Sequence, residues 1–359
     1  MPYAEITGWG KCLPPAIMTN NDLATFMDTS DEWIFSRTGM RERRISHVDV
    51  DELAYVAAER AIACAGLEAN DIDGIIFGTT TPTTLAPNCA SYVQKKLGNK
   101  NAAAMDLNSA CCSFLFALSN ATALIKNQVM KKVLVIGAEK LSWAVDWSNR
   151  NVAVLFGDGA GAVVVEATDE PVGVLSSKMG CYGDVRESLA IDNFGSGFDR
   201  TANTYSHVTW NFDGQEIFKR ATRGMVLATE DVLAKANMTA EDIDVVVPHQ
   251  ANLRIIEAVA KRLNTPMEKV MVNVERYANT SAATIPVALC EALERGMITP
   301  GANVAIPAFG AGLTWGAAFV KWGQRVTPVS SSSVELPAND KSALELIKPY
   351  LDIAEKHQK

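Results

Sequence analysis

Histidine is scarce in this chain. Only His47, His207, His249 and His357 occur among 359 residues, so an imidazole base or oxyanion donor must come from a short list. The cysteines are Cys12, Cys64, Cys89, Cys111, Cys112, Cys181 and Cys290. Their number is odd, their spacing is scattered and no CxxC pair occurs, which excludes a zinc framework and a disulfide scaffold. No apolar run reaches 18 residues and no leader pattern is present, so the reading is a cytoplasmic, reducing setting without a membrane span. Positive charge is also in deficit. The net charge of −8 argues against a general nucleic-acid or membrane-surface role, though not against a local basic patch. What is there is ordinary for α/β architecture: 48% hydrophobic and 21% charged residues, in a length that suits two core units.

The most informative stretch is Asn108-Ser-Ala-Cys-Cys-Ser-Phe-Leu-Phe-Ala-Leu118. It follows a strand-like run ending at Leu107 and opens a helical pattern, Phe114 to Ile125, that is apolar almost all round. Such a helix is normally buried. A cysteine in its first turn meets free backbone N–H groups and the positive end of the dipole, which favour the nucleophilic thiolate. The competing reading is two small buried cysteines packed like alanines.

The rest of the chain contains a repeat. At an offset of 171 residues, Ala57 falls on Ala228, Glu59 on Glu230, Asp71-Ile72-Asp73 on Asp242-Ile243-Asp244, Asn108 on Asn279, and Val133 on Val304. One offset without gaps from Ala57 to Val133 indicates a duplicated α/β unit whose halves pack about a pseudo-two-fold. Cys111 then superposes on Ala282 and His249 on Gly78. The reactive residues are asymmetric additions to a symmetric frame, and the Cys111 and Asn279 loops are expected to meet near the pseudo-axis.

Expected strands include Ala4 to Trp9, Asp71 to Gly78, Ala102 to Leu107 and Lys132 to Gly137. Helices are expected over Glu52 to Ala65 and Ala86 to Leu97. Thr29 or Ser30 caps a helix with acids in its first turn. Arg37, Arg41, Arg43 and Arg44 follow closely, as a solvated loop or as a phosphate contact. Phe156-Gly-Asp-Gly-Ala-Gly-Ala162 lacks the spacing of a dinucleotide or P-loop motif, so its glycines are read as letting backbones approach closely. Gly180 to Val208 reads as surface loops. His249, at a strand end in Val-Val-Val-Pro-His-Gln-Ala-Asn, is the best site candidate among the histidines. Thr327 to Val334 reads as a flexible linker, followed by an amphipathic helix from Ser342 to Lys356 broken by Pro349. The expected division is 1–170 for the half carrying the cysteine, 171–325 for the half carrying His249 and Asn279, and 326–359 for linker and helical extension.

Together these motifs resemble the β-ketoacyl-acyl-carrier-protein synthase III family of the thiolase fold. The matching pieces are Thr29-Ser-Asp-Glu-Trp-Ile34, Arg37-Thr-Gly39, Ala110-Cys111, Phe156-Gly-Asp-Gly-Ala-Gly161, Pro248-His-Gln-Ala-Asn-Leu-Arg254, Asn279-Thr-Ser-Ala-Ala283, and Phe309-Gly-Ala-Gly312 with Thr314-Trp-Gly316. They run in the family's order over residues 3 to about 323. The resemblance implies an α-β-α-β-α layered fold and an acyltransferase. An acyl-CoA primer would be condensed with malonyl-ACP in fatty acid biosynthesis, without metal or redox cofactor. It implies Cys111, His249 and Asn279 as catalytic residues. Backbone N–H groups at Cys111 and Gly310 would form an oxyanion hole. Trp33, Arg37 and Arg150 would hold coenzyme A, and Lys219, Arg254, Lys261 and Arg262 would dock the acyl carrier protein.

The chain departs from the family at two places. Cys112 and Ser113 follow the nucleophile where the family usually has a glycine at the second position. Ala86 stands where acetyl-primed relatives place a bulky aromatic in the acyl channel. A small residue there leaves room for several methylenes, each worth about 0.8 kcal/mol when buried. The expectation is a medium-chain primer, with the channel completed across a homodimer interface. Competing readings are a quinolone- or polyketide-type condensing enzyme, a Cys–His hydrolase, and a non-catalytic carrier-protein scaffold.

Overall fold

In the computed structural model, which describes residues 1–192 and 209–357, the apolar runs build two mixed β-sheets. In chain order the strands are β1 (Tyr3–Cys12), β2 (Ala16–Thr19), β3 (Glu42–Ile45), β4 (Gly74–Gly78), β5 (Ala103–Leu107), β6 (Lys132–Glu139) and β7 (Gly159–Thr168). They continue as β8 (Gly173–Cys181), β9 (Leu189–Asp192), β10 (Thr209–Phe212), β11 (Val245–Val246), β12 (Asn303–Gly310) and β13 (Thr314–Lys321). The first sheet has the order β1-β7-β6-β4-β5 and the second β11-β12-β13-β8. β4 runs parallel to both β5 and β6, while β7 is antiparallel to its two neighbours.

Both faces of the centre of the first sheet are covered, so β4 and the middle of β6, Val133 to Ala138, are buried and apolar at successive positions rather than alternating. Val133 and Val135 of β6 face the layer between the sheets, and Leu134, Ile136 and Ala138 face the outer helix Val50–Ala65. Between the sheets lie the helices Ser113–Lys126 and Thr284–Glu294. The helix Gly214–Lys235 covers the outside of the second sheet. The result is the layered α-β-α-β-α arrangement. Phe114, Leu115, Ala117, Leu118, Ala121 and Ile125 are fully buried, and only Asn120 and Ala123 of that helix reach solvent freely. Its buried hydroxyls at Ser119 and Thr122 donate to the carbonyls of Leu115 and Leu118, so no polar group is stranded in the core.

The 171-residue offset is exact in three dimensions. The helical turns Ala110–Cys112 and Ser281–Ala283, the helix starts at Ser113 and Thr284, and the strands β6 and β12 all correspond. Ala110 and Ser281 share a left-handed backbone, φ 50° and 49°. The symmetry fails at β5, whose counterpart Val274–Tyr277 is a short helix, leaving the second sheet one strand narrower.

Several expectations are corrected. The helix expected from Ala86 begins at Cys89, because Asn88 supplies the cap by accepting from the Ser91 amide. Of the segment read as loop, 180–192 contains the end of β8, a helical turn at Gly183–Ser188 and β9, which pairs with β10. Residues 193–208, including His207, lie outside the described residues. The stretch expected as a free linker is seated along the Val50–Ala65 helix. The Val329 amide donates to the Cys64 carbonyl, the Ser330 hydroxyl to Ala63, and Glu335 pairs with Arg60 at 2.6 Å. The helix Ala343–His357 runs through Pro349, which sits on its exposed side, and docks by burying Ala343 and Ile347. Among the described residues no helix is long and apolar enough to cross a membrane.

Candidate active site

The two equivalent turns meet as the repeat requires. Strand ends cross between halves at this point: β6 ends against the Ser281 turn, and β12 ends against the Cys111 turn. A Cβ at Gly310, the last residue of β12, would lie 2.7 Å from the Cys111 nitrogen and 3.1 Å from that of Cys112. Only glycine leaves this amide approachable, which is what an oxyanion site at the start of a helix needs. Gly137 makes a still closer approach to the Ala282 carbonyl oxygen.

Cys111, His249 and Asn279 all line one cavity of about 1980 Å³, together with Gly310, Thr80, Thr81 and Ser281. Trp33, Arg37 and Arg254 line the same cavity. The catalytic candidates are nearly shut off from solvent, at 8%, 2% and 7% exposure. Burial has consequences for charge. It pushes the Cys111 thiol up to about 12, against hydrogen bonds from Ser281 and Asn279 that pull it down. The helix N-terminus therefore does not yield a resting thiolate, because desolvation outweighs it. Burial likewise lowers His249 to about 3, leaving a neutral imidazole. A protonated thiol beside a neutral imidazole requires proton transfer within the site before the sulfur can attack.

Each side chain is held by its neighbours. Nδ1 of His249 lies 2.6 Å from the Thr284 hydroxyl. The Ser281 amide donates to Oδ1 of Asn279 at 2.8 Å, which turns the Asn279 NH₂ away from its own loop. The glycine-rich run pins that loop: Gly157 N–H donates to the Asn279 carbonyl, and Asn279 N–H donates to the Leu155 carbonyl. Asp158 in the same run is buried, accepts from Ser46 and Ser142, and is raised to about 6 by desolvation.

Of the four clustered arginines, three are partnered outside the cavity lining. Arg41 pairs with Asp31 and Glu275, Arg44 with Glu42, and fully buried Arg43 donates to Asn20 and the carbonyls of Met18 and Val154. Arg37 is the one of the four that lines the cavity; it is exposed at the mouth, donates to the Trp33 carbonyl at 3.4 Å and lies 4.5 Å from the Trp33 ring centre. Arg150 stands over the same ring at 4.7 Å. Lys219 lies on the Gly214–Lys235 helix, and Arg254, Lys261 and Arg262 on the Leu253–Arg262 helix packed against it; all four are exposed. Arg223 is exposed one turn beyond Lys219 and belongs to the same face. Ala86 is exposed and does not line this chain's own cavity, whereas Pro82 and Leu85 beside it do.

Sequence reasoning missed Glu139, Ser281 and Thr284 as parts of the site. Ser281 stood inside the Asn279 motif, and Thr284 directly after it, without an assigned task. Glu139 carried one signal, an acid closing the apolar run Val133-Leu-Val-Ile-Gly-Ala138.

A family model described as 3-oxoacyl-[acyl-carrier-protein (ACP)] synthase III matches residues 105–183, and the model of that family's C-terminal part matches residues 233–322. The chain is 52% identical over 356 residues to "Beta-ketoacyl-[acyl-carrier-protein] synthase III 2" of Vibrio cholerae, covering 99% of this chain and 98% of that one. It is 43% identical to the β-ketoacyl-ACP synthase III of Roseiflexus castenholzii, covering 89% of this chain and 98% of the relative. The crystal structure of the Aquifex aeolicus 3-oxoacyl-ACP synthase III superposes with a TM-score of 0.84 at 44% identity, over 89% of this chain and all of that one. The priming β-ketosynthase of the R1128 polyketide pathway also superposes with a TM-score of 0.84, at 31% identity, over 90% of this chain and 97% of that one. With sequence identity sustained across both halves, and the same two-sheet frame beneath it, this chain belongs to the β-ketoacyl-ACP synthase III family, acyltransferase-class condensing enzymes of the thiolase fold that act in fatty acid biosynthesis.

Proposed function

We propose that this protein primes chain elongation by condensing a medium-chain acyl-CoA with malonyl-ACP, with Cys111 as nucleophile and His249 and Asn279 as oxyanion donors. The observation that carries the reading is that these three side chains, from opposite halves of the repeat, line one buried cavity whose mouth bears Trp33 and Arg37. Cys111 takes the acyl group as a thioester, which divides one difficult step into two. Malonyl-ACP then loses carbon dioxide, and the negative charge on its thioester oxygen is met by His249 Nε2 and the Asn279 amide. One such donor is worth roughly 3 kcal/mol. The Cys111 and Gly310 amides serve the tetrahedral states of acyl transfer. No metal or redox cofactor is required for these steps.

Trp33, Arg37 and Arg150 suit the adenine and phosphates of coenzyme A, since guanidinium groups stack on aromatic faces and fork onto phosphate. Lys219, Arg254, Lys261 and Arg262 suit an acidic carrier protein. β5 is an edge strand, paired only with β4 and open on its other side, with Met105 exposed, and the adjacent 82–87 loop carries fully exposed Leu85. An open edge is a template for pairing, which supports a homodimer whose partner's 82–87 loop, with Ala86, closes the acyl channel. The setting is cytoplasmic.

The test is intact-mass analysis after incubation with acetyl-, butyryl-, hexanoyl-, octanoyl- and decanoyl-CoA, on wild type, Cys111→Ala and Cys112→Ala. The expected result is a thioester in wild type and Cys112→Ala, absent from Cys111→Ala, with octanoyl favoured over acetyl. An adduct that persists in Cys111→Ala would move the nucleophile to another residue. A wide preference for acetyl-CoA would overturn the reading of Ala86. Turnover with malonyl-CoA but not malonyl-ACP would remove the carrier protein from the reaction.

A further inference from the structure

Behind the cavity wall lies a hydrogen-bonded cluster to which the chemistry above assigns no task. Its centre is Ser281, which holds a left-handed backbone at φ 49°. The Ser281 hydroxyl donates to Glu139 at 3.0 Å. Glu139 is fully buried and also accepts from Thr79 Oγ1 at 3.1 Å, Thr80 N at 3.1 Å, Thr80 Oγ1 at 3.0 Å and Thr81 Oγ1 at 2.6 Å. Glu139 comes from the first half and Ser281 from the second, so this carboxylate ties the strained turn to the opposite half. From that anchored position Ser281 acts on both oxyanion donors. Its amide fixes the side-chain orientation of Asn279. Its carbonyl accepts the Thr284 hydroxyl at 2.9 Å, and the same hydroxyl oxygen lies 2.6 Å from His249 Nδ1.

A threonine hydroxyl has one proton, and a carbonyl can only accept. If that proton goes to Ser281, the hydroxyl must accept from Nδ1–H of His249, and Nε2 is left with a bare lone pair. The two half-reactions need opposite things from Nε2. In acyl transfer the S–H proton of Cys111 passes to Nε2, the sulfur attacks the acyl carbon, the carbon–sulfur bond to coenzyme A breaks, and the departing thiolate takes that proton. In decarboxylation Nε2 must already carry a proton to donate to the enolate oxygen.

We propose that Thr284 and Ser281 are positioning residues that set the tautomer of His249, with the Thr284 hydroxyl turned to Ser281 for acyl transfer and to Nδ1 for decarboxylation. Between the two, the ring loses its Nδ1 proton and gains one at Nε2 by exchange with water, with no net change in protons. The malonyl carbon–carbon bond then breaks, carbon dioxide leaves, and the enolate carbon displaces Cys111 from its thioester. The cysteine regains a proton from solvent. This inference rests on the proposed condensation, with Glu139 holding Ser281 in place for both donors.

The test pairs a spectroscopic measurement with separated half-reactions. Ring-¹⁵N histidine NMR on the full-length resting enzyme reads the tautomer, helped by there being only four histidines. Wild type is expected to show Nδ1–H with bare Nε2. Thr284→Val, which keeps shape and loses the acceptor, is expected to shift His249 to Nε2–H. The same variant should slow octanoyl transfer by about a hundredfold, the size of general-base catalysis, while carbon dioxide release from malonyl-ACP falls much less. Thr284→Ser should restore both the tautomer and the rates. Glu139→Gln, which loses part of the acceptor set, should lower both half-reactions together. An Nε2–H tautomer in resting wild type would overturn the proposal. So would an unchanged tautomer in Thr284→Val, or equal losses in both half-reactions, which a merely structural threonine would give. Failure of wild type to acylate would instead sink the proposed condensation, and the substrate-free NMR result would still stand.

Discussion

Replacing Gly310 by alanine tests the oxyanion site most directly. The new Cβ would lie 2.7 Å from the Cys111 nitrogen, 3.1 Å from the Cys112 nitrogen and 3.2 Å from the Cys111 Cα. Ordinary contact begins near 3.4 Å, so about 0.7 Å must be found between backbone atoms. No flexible side chain can yield there. One neighbour is the end of a buried strand and the other the start of a helix that is fully buried along most of its length. A hydrogen bond of about 2.9 Å stretched by that amount passes beyond useful length. Losing one oxyanion donor costs about 3 kcal/mol of transition-state stabilisation, or roughly a hundredfold to two-hundredfold in rate. Overpacking should lower stability by about 1–3 kcal/mol as well. The assay is single-turnover release of coenzyme A from octanoyl-CoA, beside carbon dioxide release from malonyl-ACP. Acyl transfer should collapse, while decarboxylation, assigned to His249 and Asn279 in the proposed mechanism, should fall far less. A variant that acylates within threefold of wild type while remaining folded would refute this reasoning.

Three further outcomes are expected. His249 has a folded pKa lowered to about 3 against 6.5 in its ordinary state, so below pH 6.5 the unfolded chain binds a proton that the folded chain does not. Stability should therefore fall as pH drops, by about 2 kcal/mol between pH 7 and 5 from this group. Denaturant melts of wild type and His249→Gln should diverge by that amount, and parallel curves would contradict the assignment. Trp33→Ala should raise KM for octanoyl-CoA about tenfold with little change in kcat, and should leave octanoyl-pantetheine, which lacks adenine, unaffected. An equal effect on both substrates would remove Trp33 from adenine binding. Ile347 is fully buried, so Ile347→Ala should loosen the C-terminal helix by about 2–4 kcal/mol, read as faster amide hydrogen exchange over 343–353. Unchanged exchange would mean that the helix is held by other contacts.

How far the sequence could be read depended on the kind of signal. Short-range patterns were reliable. The helix after Cys111, the β6 run and the Ser30 cap, whose hydroxyl accepts from the Trp33 amide, lie where apolar spacing and capping chemistry put them. Boundaries slipped where a cap decided them, as at Asn88. The free linker was a misreading of composition. Serines at 330–333 looked solvating, but Val334 and Leu336 beyond them pack against the apolar cluster of a distant helix that no local pattern reveals.

By itself the sequence determined the duplication and the fold class, and it singled out Cys111, His249 and Asn279 as the candidates that the fold then brings to one cavity. Periodicity, a fixed offset and motif order are properties of a linear string. Only the tertiary structure decided the charge state of the site. Helix-dipole reasoning favoured a thiolate at Cys111, but burial is a three-dimensional quantity, and desolvation reverses the sign. It alone also placed Glu139 beside Ser281, 142 positions apart in the chain, where a strand end from one half meets a turn from the other.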